Sequence, residues 1–145
     1  MKKIIFILSL LAGMLTFTGC DEDKIISESQ LPQKAQQFIQ QYFAEEEIAI
    51  VKSEREVSGK KYEVTFISGK NIEFKSNGDW IKVDCLFSAV PAELVPEAIA
   101  NKVKEMYPDA IICVIDKENN YTEVDLNNGL DLKFDKKYNL ISIDD

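Results

Sequence analysis

The chain contains no histidine, and this absence removes more chemistry than any residue present supplies. Without imidazole there is no Ser-His-Asp or Cys-His nucleophile and no His-containing zinc site. Cysteine is scarce as well, with three residues in 145 and no C-x-x-C pair. No G-x-S-x-G, Walker or glycine-rich dinucleotide loop occurs. Cations are outnumbered, 17 Lys and Arg against 25 Asp and Glu, and no Lys/Arg run exceeds two residues. An acidic chain without basic clusters argues against nucleic acid as a partner. The acids are numerous but scattered over positions expected to face solvent, so counting them does not make a paired-carboxylate hydrolase. The stretch DLNNGLD (125–131) reads as a hairpin turn. Its glycine falls at the fifth position of the would-be calcium loop, not the sixth, and no Glu fills the twelfth. The expectation is no catalytic residue, no metal and no cofactor.

What the chain does have begins at its N-terminus. Lys2 and Lys3 precede an apolar run from Ile4 to Leu15, the length of a signal-peptide core and short for a permanent span. Thr18-Gly19-Cys20 then closes the segment. This resembles a lipobox, the bacterial lipoprotein signal, with Phe17 in place of the usual Leu. The resemblance implies cleavage before Cys20, lipidation of Cys20 and a membrane anchor; a plain signal peptide with a chance Cys is the alternative. Each buried acyl methylene contributes about 0.8 kcal/mol, so several chains anchor firmly. Asp21, Glu22 and Asp23 cannot enter the bilayer, and residues 20–30 read as an acidic tether. An acidic cluster at this place resembles a surface-export signal, implying an outer-membrane lipoprotein facing the periplasm or the cell surface. The segments are thus 1–19 signal, 20–30 tether and 31–145 one domain. The domain is long enough to bury a core without staples. Cys85 and Cys113 are left either to pair or to lie as buried thiols.

The domain repeats itself. Residues 31–54 align with 95–118 at an offset of 64, bringing Pro32, Ile39, Phe43 and Ile48 onto Pro96, Val103, Tyr107 and Ile112. Residues 62–84 align with 122–144 at an offset of 60, matching Glu63-Val64, Gly69, Phe74 and Asp84 with Glu123-Val124, Gly129, Phe134 and Asp144. Two units result, about 31–86 and 90–145. Each opens with a proline suited to a first helical turn. Apolar residues follow at helical spacing: Ala35, Phe38, Ile39, Tyr42 and Phe43 in the first, and Ile99, Val103, Met106 and Tyr107 in the second. Four strands come next, with alternation such as Tyr62, Val64 and Phe66 against Lys61, Glu63 and Thr65. Ser76-Asn77-Gly78-Asp79 is a hairpin turn. The expected class is α+β: two αβ4 units forming one antiparallel sheet of about eight strands, helices on one face and a polar face open opposite.

Taken together, Pro32, Tyr62, Val64, Gly69, Ile72, Phe74, Gly78, Trp80 and Asp84 resemble the pattern of the PepSY-like, β-lactamase-inhibitor-like family of exported bacterial proteins. Their counterparts Pro96, Tyr107, Pro108, Val124, Gly129, Phe134 and Asp144 extend the resemblance over about residues 28–145. The second copy departs from the pattern with Tyr138 and Leu140 where the first has Gly78 and Trp80. The resemblance implies the fold just described and, by analogy, inhibition of an exported hydrolase; it brings no catalytic residue with it.

If Ile81, Val83 and Cys85 face the core, alternation puts Trp80 on the open face, and Leu140 likewise. Trp80, Lys82, Glu73, Lys75 and Leu140 are therefore the candidate partner-binding residues, because buried Trp is a frequent interface anchor. The expected function is a monomeric, non-catalytic envelope lipoprotein binding an unknown protein or peptide through that face. A glycan- or small-molecule-binding surface protein, stacking ligand on Trp80, is the alternative.

Overall fold

The computed structural model describes residues 23–145, so Cys20 and the signal segment lie outside the described residues. One antiparallel sheet of nine strands runs in strict chain order. The strands are β1 (Lys24–Ile26), β2 (Ile48–Glu56), β3 (Gly59–Phe66), β4 (Asn71–Lys75), β5 (Trp80–Asp84), β6 (Ile112–Lys117), β7 (Tyr121–Leu126), β8 (Asp131–Asp135) and β9 (Leu140–Asp144). Helix α1 (Gln33–Tyr42) precedes β2, and α2 (Glu97–Met106) precedes β6. The protein is thus α+β. The ninth strand beyond the expected eight is β1. It lies where the tether was expected and pairs Lys24, Ile25 and Ile26 with Ser53, Lys52 and Val51. A short 3-10 turn, Glu28–Gln30, follows it, so the chain is ordered into the sheet edge well before residue 31.

Period-two alternation aims Tyr62, Val64, Phe66, Ile72, Phe74, Val83, Ile115, Val124, Leu126, Leu132 and Phe134 to one side, where all are buried. Ala35, Phe38 and Ile39 of α1 and Ile99 and Val103 of α2 join the same cluster, so both helices cover that side. Phe43 stacks on Phe66 at 5.5 Å, and Phe38 meets Phe74 edge-on at 5.6 Å. Tyr42 and Tyr107 pack at the margin of the core as expected. Met106, expected on the inner face, is instead exposed. Pro32 and Pro96 stand one residue ahead of their helices, and the Tyr107-Pro108 step closes α2.

Four of the hairpins share one turn geometry. In the β4–β5 turn, Lys75 N–H donates to Asp79 O at 2.8 Å, Gly78 N–H donates to Lys75 O at 2.9 Å, and Gly78 has φ +86°. Past this turn Glu73 pairs with Lys82 but Phe74 pairs with Trp80, leaving Ile81 as the spare residue of a separate bulge inside β5. The β8–β9 turn repeats this, with Tyr138 left-handed at φ +62° and Ile141 spare between Ser142 and Leu140. Gly69 and Gly129 occupy the left-handed position of the β3–β4 and β7–β8 turns.

Candidate functional site

The face away from the helices is paved with charge. Register alone aligns Lys52, Glu63, Glu73, Lys82, Asp116, Glu123 and Lys133 in one row from β2 to β8, ending on Ser142 of β9. Much of the row is internally paired: Lys52 with Glu63 at 3.6 Å, Lys82 with Asp116 at 3.5 Å and Lys133 with Glu123 at 3.2 Å. Lys61 sits among Glu54, Glu56 and Glu73 at 3.1–3.5 Å, and these partners raise its pKa despite its burial. The adjacent row differs in kind. It passes through Thr65, Asn71, Asp84, Val114, Asp125, Asp131 and Asp144. Asp125 lies directly opposite Asp131, and like charges placed so repel. Burial first, then Asp131 and Glu123, push its carboxyl up to about 6. Among the described residues no group of three or more Cys, Asp or Glu side chains gathers as a metal site.

Of the five residues expected to form the contact patch, Glu73 and Lys82 lie side by side on this open face. Lys75 stands opposite Lys61 at the end of β4 and is exposed. Trp80 and Leu140 do not join them. The bulge at Ile81 inverts the alternation, so Trp80 faces the helices, its ring 6.0 Å from Phe38. The bulge at Ile141 turns Leu140 toward the core in the same way. Polar Lys82 and Asp84 alternate with Val83 as a half-buried strand should. The slip lies inside the strand, one residue past Trp80 or Leu140, and the turn does not signal it, because Gly69 and Gly129 hold the same left-handed position with no register shift after them.

Where Trp80 does sit, a second feature appears that the sequence did not announce. The Lys117 amine lies over the indole, 3.1 Å from the ring centroid, a cation–π contact. Lys117 is exposed as a residue, but burial of the amine against this wall lowers its pKa to about 8. Two adjoining clefts, about 340 and 430 Å³, meet here and share Lys75, Ile81, Lys117, Glu118 and Asn119.

Cys85 and Cys113 are neighbours, with Cys85 N–H donating to Cys113 O at 2.9 Å, but both thiols are free and buried. Burial pushes the Cys85 thiol up to about 11, far from a reactive thiolate.

A single antiparallel sheet with two helices on one face and a charged face on the other defines a small α+β domain. The family model described as "Putative beta-lactamase-inhibitor-like, PepSY-like" matches residues 60–142, and the chain belongs to this family. Three solved structures are similar over nearly the whole described domain. A "putative periplasmic protein" of the DUF2874 family from Bacteroides vulgatus is 42% identical, with a TM-score of 0.83 over 88% of this chain and 100% of that one. A "putative calcium-regulated periplasmic protein" from Bacteroides thetaiotaomicron is 44% identical, with a TM-score of 0.81 over 85% and 97% of the two chains. A "putative periplasmic protein of unknown function" from Bacteroides vulgatus is 28% identical, with a TM-score of 0.81 over 86% and 100%. No functionally curated protein matches the chain.

Proposed function

We propose that the protein is a non-catalytic envelope lipoprotein, anchored through Cys20, that holds a protein or peptide partner on its open sheet face. The observation that carries this reading is the register-aligned charge row through Glu73 and Lys82, on a face that neither helix covers. Fixed, mutually paired side chains lose little freedom on docking, which favours association with a surface of matching charge. The unpaired acids of the neighbouring row, Asp84, Asp125 and Asp131, give that face a negative half, so the complementary partner is basic there. Inhibition of an exported hydrolase is the role suggested by the family's description, and the periplasmic descriptions of the solved relatives support an envelope location. Outer-membrane attachment rests on the lipobox resemblance.

We also read the domain as two αβ4 units. The bulges at Ile48/Ile50 and Ile112/Val114, and those at Glu73/Phe74 and Lys133/Phe134, support this, recurring at the offsets of the sequence repeat. Stacking of a glycan on Trp80 loses its main support, because the ring is engaged by Phe38 and Lys117. The test is a charge-reversed pair, Glu73→Lys with Lys82→Glu, in assays against exported hydrolases and in envelope pull-downs. Partners recovered equally by both proteins would remove the open face from the reading.

A further inference from the structure

The clefts beside Trp80 are lined by five lysines, Lys34, Lys60, Lys61, Lys75 and Lys117, and by five carboxylates, of which Glu56, Glu73, Asp79 and Asp116 are each paired with a lysine. Two of these lysines are committed: Lys34 to Asp79, and Lys61 to its three glutamates. Lys60, Lys75 and Lys117 pair with no carboxylate among the described residues. Lys60 and Lys117 instead rest over the rings of Tyr62 and Trp80. Lys75 and Lys117 line both clefts, with Lys60 at the wall of one. The spare bulge residue Ile81 and the Trp80 indole give the space between them an apolar side. We propose that this cleft binds a phosphate-bearing anion attached to an apolar group, held by Lys60, Lys75 and Lys117.

The donor set selects the chemistry. Three ammonium groups act as point charges suited to phosphate, whereas the planar fork that favours a lone carboxylate belongs to arginine, and none lines the cleft. Unpaired cations close together repel, and an anion between them removes that cost. Burial first, then Lys75 and Lys34, lower the proton affinity of Lys117, while Asp79 opposes them. Lys34 on α1 and Lys75 and Asp79 on the β4–β5 hairpin are the charges that act on its amine, and Glu118 lines the same cleft. Glu118, the one carboxylate common to both clefts, opposes the anion.

The chain's single Trp lies in the cleft wall and reports binding directly. Full-length protein in neutral detergent is titrated with inorganic phosphate and with dihexanoyl phosphatidic acid, at ionic strength held constant with chloride. The expected result is a saturable change in Trp80 emission. Lys75→Met or Lys117→Met weakens it about tenfold, as loss of one charge-assisted contact should. Glu118→Gln tightens binding, and affinity falls between pH 7 and 10 as Lys117 loses its proton. Tighter binding of the lipid than of inorganic phosphate is expected; equal affinity would overturn the apolar half of the proposal. A response matched by chloride alone, no response, or lysine variants that stay folded by circular dichroism and bind like the wild type would overturn the proposal.

Discussion

The Lys117 amine and the Trp80 ring form a pair whose protonation is readable without any label. With its pKa lowered to about 8, Lys117 should impose on Trp80 emission a titration centred near that pH, absent in Lys117→Met. The sign for stability follows from the depressed value. A folded pKa below the ordinary lysine value favours the fold fully above that ordinary value, and the gain is lost as pH falls through about 8. Cys85 behaves inversely. Its thiol, raised to about 11, favours the fold below its ordinary value, with the gain lost as pH rises through 11. Iodoacetamide should therefore leave Cys85 unmodified at pH 8 in the native protein and label it once denaturant is added; rapid native labelling would contradict its burial. Side-chain identity carried much of this scale: the core residues of β3, β4, β7 and β8 follow from alternation alone. Trp80 and Leu140 were misread because parity counts residues, and one bulge residue inside β5 or β9 reverses the count.

Turns do much at the level of elements. Gly78 is left-handed, and an added Cβ would lie 3.0 Å from the Cβ atoms of both Pro32 and Lys34, against the entry to α1. Gly78→Ala should thus cost about 2 kcal/mol or more in urea unfolding, through backbone strain and helix displacement together. Phe38, whose ring meets Phe74 and Trp80 of the sheet as well as Tyr42 and Phe43, should cost about 3–5 kcal/mol when truncated to Ala. Across the β7–β8 pair, Asp125 has a folded pKa of about 6, above its ordinary value. Its protonated form therefore favours the fold below about pH 4, and this is lost as pH rises through 6. Asp125→Asn should raise stability at pH 7 by about 1 kcal/mol, after allowance for solvent screening, and change nothing at pH 3.5; equal effects at both pH values would refute the repulsion. Helices and strands were legible because apolar spacing at periods of 3.6 and two is strong in both halves. Strand β1 was not, since three residues carry no period and its pairing with β2 is set by an edge some 25 positions away.

For the whole molecule, the sheet begins at Lys24, so an acylated Cys20 would be about 14 Å of extended chain from β1 at most. The domain would then sit directly at its anchor. Cys20→Ser should move the protein from the membrane to the soluble envelope fraction, and retention in the membrane would remove the lipid anchor from the account. The α+β class was readable from the apolar spacing; the pairing of charges over the open face needed the register. The strand order β1 to β9 has a further consequence. Every ladder joins a strand to its immediate predecessor along the chain, so each pairing closes only the turn or helical segment between two consecutive strands. A polypeptide threaded N-terminus first through an export channel could zip each new strand onto one already delivered, never waiting for a distant partner.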